Sequence, residues 1–424
     1  ASCEASLRSQ TRPSFSAKST VILSFTWVMM PGRTAVPLSA AGSYSPHKWG
    51  EATAAGMGKL QFQSAACYHL RVREHAGMRK VPLAESLRII GRGSLNWITG
   101  RPIVVSFEVT DSCTCDCRHC DHGGPRDDSR NLKPSDYRRY MQVLGPCVVQ
   151  ISGGEPLLRD DVVEIVRNIK SHSGLPYTIL VSNWSLMSEE RYLELRQAGV
   201  DQFSVSLDFP DQRHDSFRRR RGLFEHLDRI VPRLAALGHD DIVLNTCITS
   251  ENVAEVNAVA DKARQWGVNI CYSAYSPLRT GCPDYFLNTH EQLLTLRHEL
   301  DRLEARRDKT NWIVNAATTL DATRRYFEDG KAPGCKAGLR FLVVTSDGAL
   351  QPCSMQFRRY RLGEQSRMVR EFTRHNTCDQ CYVSIRSYLD KTFPQLLWEN
   401  VSGFFSFKAR WNGSGRAGSE PQGA

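Results

Sequence analysis

At 424 residues the chain exceeds one average domain but suits a single α/β barrel with an appendage. Its 41% hydrophobic and 24% charged residues are ordinary for a globular protein, and the lack of any run of 18 apolar residues excludes a helical membrane protein. The net charge of +10 does not single out nucleic acid as a partner: residues 1–77 carry +5 and residues 402–424 carry +2, leaving +3 for the middle, so the excess reads as solvated tails.

Residues 1–77 are Ser/Arg-rich, with one acidic residue in the first 50, and "VILSFTWVMM" ahead of "AVPLSAAG" has the look of a signal or transit peptide. Because the chain opens on Ala and ordered-looking sequence begins near Met78, the expectation is a disordered leader or a mispredicted start, followed by a helical extension over 78–100. From Arg101 the pattern is regular. Strand signals at 103–109, 147–151, 177–182, 202–207, 242–248 and 268–274 alternate with helical stretches at 134–144, 159–172, 188–199, 223–238 and 252–267. Such alternation implies parallel pairing, so residues 101–280 are expected to form a partial (β/α)6 TIM-type barrel whose carboxyl edge carries the function. Residues 281–330 are expected as a helical connector, 331–390 as a small β-hairpin/helix domain with a D-G turn at Asp347 and Gly348, and 391–424 as a tail. The aromatic and basic stretch 393–411 is assigned to packing on the barrel, with peripheral membrane contact as the alternative, and Arg218 to Arg221 to a solvated helix entrance or an acidic electron donor's dock.

Fourteen cysteines, clustered and not evenly paired, argue for metal in a reducing compartment, with the cytoplasm as default. "SCTCDCRHC" follows the first strand. Cys113, Cys117 and Cys120 are spaced C-x3-C-x2-C, which lets one loop offer three thiolates to a cubane and leaves the fourth iron open to a bidentate small molecule. A structural zinc site more often uses two separated C-x2-C knuckles. After the second strand stands "SGGEP", Ser152 to Pro156.

These motifs together resemble the signature of the radical S-adenosylmethionine (radical SAM) enzymes. The resemblance implies a 4Fe-4S cluster on Cys113, Cys117 and Cys120 that cleaves S-adenosylmethionine to methionine and a 5'-deoxyadenosyl radical, which takes hydrogen from a substrate. It implies cofactor contacts from Gly153, Gly154, Glu155 and Pro156, where glycine leaves room for the methionine amine, and from Ser182, Asn183, Ser206 and Asp208 at strand ends. His119 stands where the family commonly has an aromatic residue against adenine. Cys115 is expected as a bystander turned away from the cluster, and Cys282 as a bystander with the active site as the alternative.

Cys335, Gly348 and Cys353 are spaced C-x12-G-x4-C, and Cys378 and Cys381 follow as "CDQC". This resembles the shorter, single-cluster form of the auxiliary SPASM/twitch domain of radical SAM enzymes, and so implies a second 4Fe-4S cluster with four thiolates; on spacing alone a zinc ribbon is the alternative. A flavodoxin- or ferredoxin-type protein is the implied electron donor, and the substrate is a peptide side chain, a sugar alcohol or a lipid. The reading from a different class is a non-catalytic iron-sulfur or zinc protein that binds nucleic acid through basic flanks.

Overall fold

A computed structural model of the chain describes residues 83–170, 174–307 and 312–396. The leader, the part of the tail beyond 396 and both basic flanks lie outside the described residues. The first element is helix α1 (Leu83–Thr99). Its buried Asn96 donates from Nδ2 to the carbonyls of Pro102 and Gly145, both at 2.8 Å, which pins the helix to the amino end of the barrel.

The barrel runs β1 (Val104–Glu108), α2 (Pro134–Leu144), β2 (Val148–Ser152), α3 (Val162–Ile169), β3 (Tyr177–Ser182), α4 (Glu189–Ala198), β4 (Gln202–Ser206), α5 (Arg213–Arg218), α6 (Leu223–Ala235), β5 (Ile242–Ile248), α7 (Val256–Trp266) and β6 (Asn269–Ala274). Helices α8 (His290–Ala305) and α9 (Ala317–Asp329) follow, then β7 (Phe341–Val344), β8 (Leu350–Gln351), α10 (Gln365–Glu371) and α11 (Ser384–Leu389). Strands β1 to β6 pair in parallel in chain order, as a partial barrel requires.

Alternate strand residues point to opposite faces. One set, including Val105, Phe107, Ile151, Leu180, Phe203 and Leu244, packs with Ile165, Leu195, Leu227, Val231 and Val259 of the helices in the main core. The other set is unusually polar for a wholly buried surface: Ser106, Glu108, Gln150, Ser152, Ser204 and Asn245 are all buried. Buried polar groups are costly unless partnered, so a polar inner face marks the barrel interior as a place built for more than packing.

The hairpin expected within residues 331–390 extends the barrel sheet. Strand β7 pairs in parallel with β1, Val104 opposite Phe341 and Phe107 opposite Val344, and β8 pairs antiparallel with β7. The reason is the open edge of a partial barrel: β1 would otherwise leave a row of backbone donors and acceptors unpaired, and the run "FLVV" satisfies them. Helix α5 has six residues, too few for a helical period to show in the sequence.

Leu244 is fully buried on β5, between α-helices and the neighbouring strands. Leu244→Ala is expected to cost about 2–5 kcal/mol, read as a lower denaturant midpoint with an unchanged slope.

Candidate metal and cofactor site

The cysteine loop begins where β1 ends, and it is tied down at its base by one carboxylate. Asp128 accepts from Thr110 Oγ1 at 2.9 Å and from Ser112 Oγ at 2.6 Å. Across the loop, Asp116 N donates to the Arg218 carbonyl at 3.3 Å and Arg118 N to the Phe217 carbonyl at 3.1 Å, so the carboxyl end of α5 serves as the loop's outer rail.

The tightest contact is with "GG". Gly154 N donates to the Thr110 carbonyl and Glu155 N to the Ser112 carbonyl, each at 2.8 Å. A Cβ on Gly153, whose φ is +128°, would stand 2.3 Å from the Thr110 oxygen, and one on Gly154 would stand 2.0 Å from the Ser112 oxygen. Glycine is therefore needed here to let two backbones meet, a requirement separate from the room for a cofactor amine expected from the resemblance.

Glu155 is fully buried and extends the same fastening to β3. It accepts from Leu157 N (3.0 Å), Ser182 Oγ (2.7 Å) and Asn183 N (2.8 Å). Burial pushes its carboxyl up, against the pull of these three donors. Asn183 in turn donates from Nδ2 to Thr114 Oγ1 at 2.9 Å and stands 3.8 Å from Cys113 Sγ. The motif after β2, the end of β3 and the cysteine loop are thus one hydrogen-bonded unit.

This unit borders a partly open cavity. Cys113, Cys117 and Cys120 line it together with His119, Gly153, Gly154, Ser182, Asn183 and Ser206. Glu155, Pro156 and Asp208 are buried behind the lining and hold it in place. His122, Val181, Arg218, Asn245 and Cys247 also line the cavity and were not singled out as site residues from the sequence. The signal for Asn245 and Cys247 was available: they alternate on β5, and Asn245 is in register with Ser206 of β4.

Arg218 is not solvated. It donates from Nε to Asp208 at 2.7 Å, and Nη1 lies 3.8 Å from Cys117 Sγ. Arg220 donates to the Thr114 carbonyl at 3.0 Å and Arg219 pairs with Asp116 at 3.2 Å. Three of the four arginines therefore face the cysteine loop, because that loop offers free carbonyls and a carboxylate beside them. Burial works against the charge on Asp208, but Arg218, His119, His214 and the Cys247 amide together outweigh it and hold the carboxyl below the usual range.

His119 stacks on Phe217, with ring centroids 4.7 Å apart at 12°. Burial lowers its pKa to about 4, so the ring is neutral at neutral pH. Cys115 is buried, its thiol is in hydrogen-bonding contact with Cys113 and Cys117, and those contacts with burial raise its pKa steeply. It stands behind the cavity, outside the lining. Cys117 is held below the ordinary thiol value by its contact with Cys115 and by Arg218, whereas burial pushes Cys120 up to about 12.

Cys335, Cys353, Cys378 and Cys381 line a second cavity, whose other wall is Ser106, Glu108, Gln150 and Ser152 of the barrel interior. Burial raises Cys335 to about 12, and Cys353 and Cys381 upward as well. Buried thiols of this kind give up protons on meeting a metal. Among the described residues no three His, Cys, Asp or Glu side chains stand at the spacing that closes on a single ion. Arg279 spans the two cysteine sets: it pairs with Asp121, next to Cys120, and donates to the Ser354 carbonyl, next to Cys353, at 3.3 Å. Cys282 is buried in the same loop, and its carbonyl accepts from Tyr275 at 2.8 Å.

Gly154→Ala must displace the Ser112 carbonyl, so the variant is expected to fold with the cysteine loop moved and to retain less than half the iron of the parent protein after identical anaerobic reconstitution. His214, fully buried beside Arg218, has its pKa lowered by burial from 6.5 to about 3. Below pH 6.5 the unfolded chain takes up a proton that the folded one refuses, so stability is complete above that pH and falls by up to about 1.4 kcal/mol per unit as pH drops toward 3. Denaturant midpoints at pH 7 and pH 5.5 should show a smaller difference for His214→Gln than for the parent.

Residues 107–263 match the family model described as the Radical SAM superfamily. Over 277 residues the chain is 25% identical to an AdoMet-dependent heme synthase of Methanosarcina barkeri, covering 60% of this chain and 78% of that protein. Over 271 residues it is 28% identical to a probable GTP 3',8-cyclase of Methanothermobacter marburgensis, covering 60% and 86%. Among solved structures, SuiB of Streptococcus suis bound to S-adenosylmethionine aligns with a TM-score of 0.48 at 17% identity, over 63% of this chain and 64% of SuiB, so the chain spans less than two thirds of SuiB's length. The matched segment runs from the end of β1 through the three-cysteine loop, the GGEP turn and every strand end that lines the first cavity, and it identifies this part of the chain as a radical SAM catalytic domain.

Proposed function

We propose that Cys113, Cys117 and Cys120 hold a 4Fe-4S cluster with one iron open to S-adenosylmethionine, and that Cys335, Cys353, Cys378 and Cys381 hold a second 4Fe-4S cluster in a SPASM/twitch-like domain. The observation that carries this reading is the convergence of three thiols, two glycines and the polar ends of β3, β4 and β5 on one cavity. When bound, the first cluster and its ligand supply one-electron cleavage of a sulfonium and hydrogen abstraction from a substrate.

The chain's own residues have separate tasks. Gly153 and Gly154 hold the loop in its ligating shape, and Ser182, Asn183 and Ser206 offer hydrogen bonds to the cofactor. His119, neutral and fixed by Phe217, presents a flat face for a base. Asp208 keeps Arg218 turned toward Cys117, where its charge favours the thiolate. The enclosing walls keep water and stray C–H bonds away from a reactive carbon radical.

For the second set, four cysteines that line one cavity, coupled to the motif of the first set, favour a cubane over zinc. Four thiolates leave no iron open, so electron transfer or support is its role. The electron donor is of flavodoxin or ferredoxin type, and clustered unpaired thiols suit a reducing compartment such as the cytoplasm. Among the described residues no helix is long and apolar enough to cross a membrane. The relatives named above carry names for unlike substrates at similar identity, so the barrel is common chemistry and the choice of peptide side chain, sugar alcohol or lipid rests with this chain's loops.

Anaerobically purified protein should contain about eight irons per chain, about four after Cys335, Cys353, Cys378 and Cys381 are all changed to Ser, and should release 5'-deoxyadenosine from S-adenosylmethionine and dithionite. Loss of that product in Cys117→Ala is expected to be complete. Zinc in the purified protein with no 5'-deoxyadenosine would refute the reading.

A further inference from the structure

Arg386 lies on α11, and its side chain is wholly buried. Taking a guanidinium out of water costs several kcal/mol unless its surroundings answer the charge. Four groups do so. Nε donates to Asp390 at 2.5 Å; Nη2 donates to the carbonyls of Ala332 and, at 3.0 Å, Pro333; Nη1 donates to the Cys381 carbonyl at 2.6 Å and stands 3.9 Å from Cys381 Sγ. Only one of these groups is a full negative charge when the cysteines are thiols. Once the cysteines are thiolates, the cation gains a second anionic neighbour.

We propose that Arg386 is a positioning residue that raises the reduction potential of an iron-sulfur cluster on Cys335, Cys353, Cys378 and Cys381, with Asp390 as the counter-charge that limits the effect; this rests on reading those cysteines as cluster ligands. Reduction places one further negative charge on the cluster, and in a low-dielectric interior a fixed cation beside a ligand sulfur favours that state more than water would. The carboxylate of Asp390, half-buried at the carboxyl end of the same helix, opposes it. The two side chains therefore push the potential in opposite directions, which a purely structural clamp would not do.

The test uses the full chain, reconstituted without oxygen, with Cys113, Cys117 and Cys120 changed to Ala so that only the second set reports. Metal is counted first, then the cluster is titrated with dithionite against redox mediators and followed by EPR. Arg386→Gln should lower the ratio of reduced to oxidised cluster at a fixed potential at least ten-fold, equivalent to about 59 mV for one electron. Asp390→Asn should raise that ratio, and Arg386→Lys, which keeps the charge, should stay closer to the parent than Arg386→Gln does. No shift in either direction, or shifts of the same sign in the Gln and Asn variants, would overturn the proposal. Should Arg386→Gln fail to fold, Asp390→Asn decides alone: an unchanged or lowered ratio overturns it. Zinc, or no metal, in the parent is seen before any titration and removes the cluster reading and this inference together.

Discussion

The site depends on how closely two stretches of backbone approach. The cysteine loop after β1 and the turn after β2 share two 2.8 Å hydrogen bonds, and Gly153 and Gly154 leave no room for even a methyl group between them. A loop that carries Cys113, Cys117 and Cys120 within eight residues has no hydrophobic core of its own, so it cannot hold a shape unless its backbone groups are satisfied elsewhere. The barrel supplies those partners at strand ends, and Glu155 carries the fastening on to β3 through Ser182 and Asn183. The same residues that anchor the loop also form the cavity wall opposite it. The shape of the loop and the wall of the cavity are consequently one construction.

Electrostatics repeats at the two cysteine sets. In each, a buried arginine is held by an aspartate and directs Nη1 at a cysteine sulfur: Arg218 with Asp208 toward Cys117 at 3.8 Å, Arg386 with Asp390 toward Cys381 at 3.9 Å. A lysine in such a position would be driven toward neutrality by burial, whereas guanidinium keeps its charge. Arg279 joins the two sets mechanically, gripping Asp121 on one loop and the Ser354 carbonyl on the other. Because β7 is bonded to β1, the second cysteine set is anchored to the same sheet as the first, and no hinge between separate domains is needed to bring them near each other.

Much of the barrel was legible in sequence because its strands are β-branched runs and its helices are long. The runs at 177–182 and 242–248, and the helix at 134–144 with Pro at its start, coincide with the observed elements. Helix α5 was not legible, since six residues cannot display a period, and the pairing of β7 with β1 is a long-range choice that no local pattern encodes. At the site, the motif cysteines stood out by spacing, and Ser182, Asn183 and Ser206 by their place at strand ends. Arg218 was hidden within a run of four arginines, where composition suggested solvent and only the fold shows which of them turns inward. Cys115 stands behind the cavity, and what the sequence could not show is that its thiol touches Cys113 and Cys117.

The account's central claim is an iron coordinated by S-adenosylmethionine at the corner that Cys113, Cys117 and Cys120 leave open. Electron-nuclear double resonance on the reduced, reconstituted protein with S-adenosylmethionine labelled with 15N in its amine and 17O in its carboxylate tests it directly. The account predicts nuclear couplings from both labels to the cluster spin, lost in Cys117→Ala. A reduced cluster that shows neither coupling at saturating ligand would contradict it.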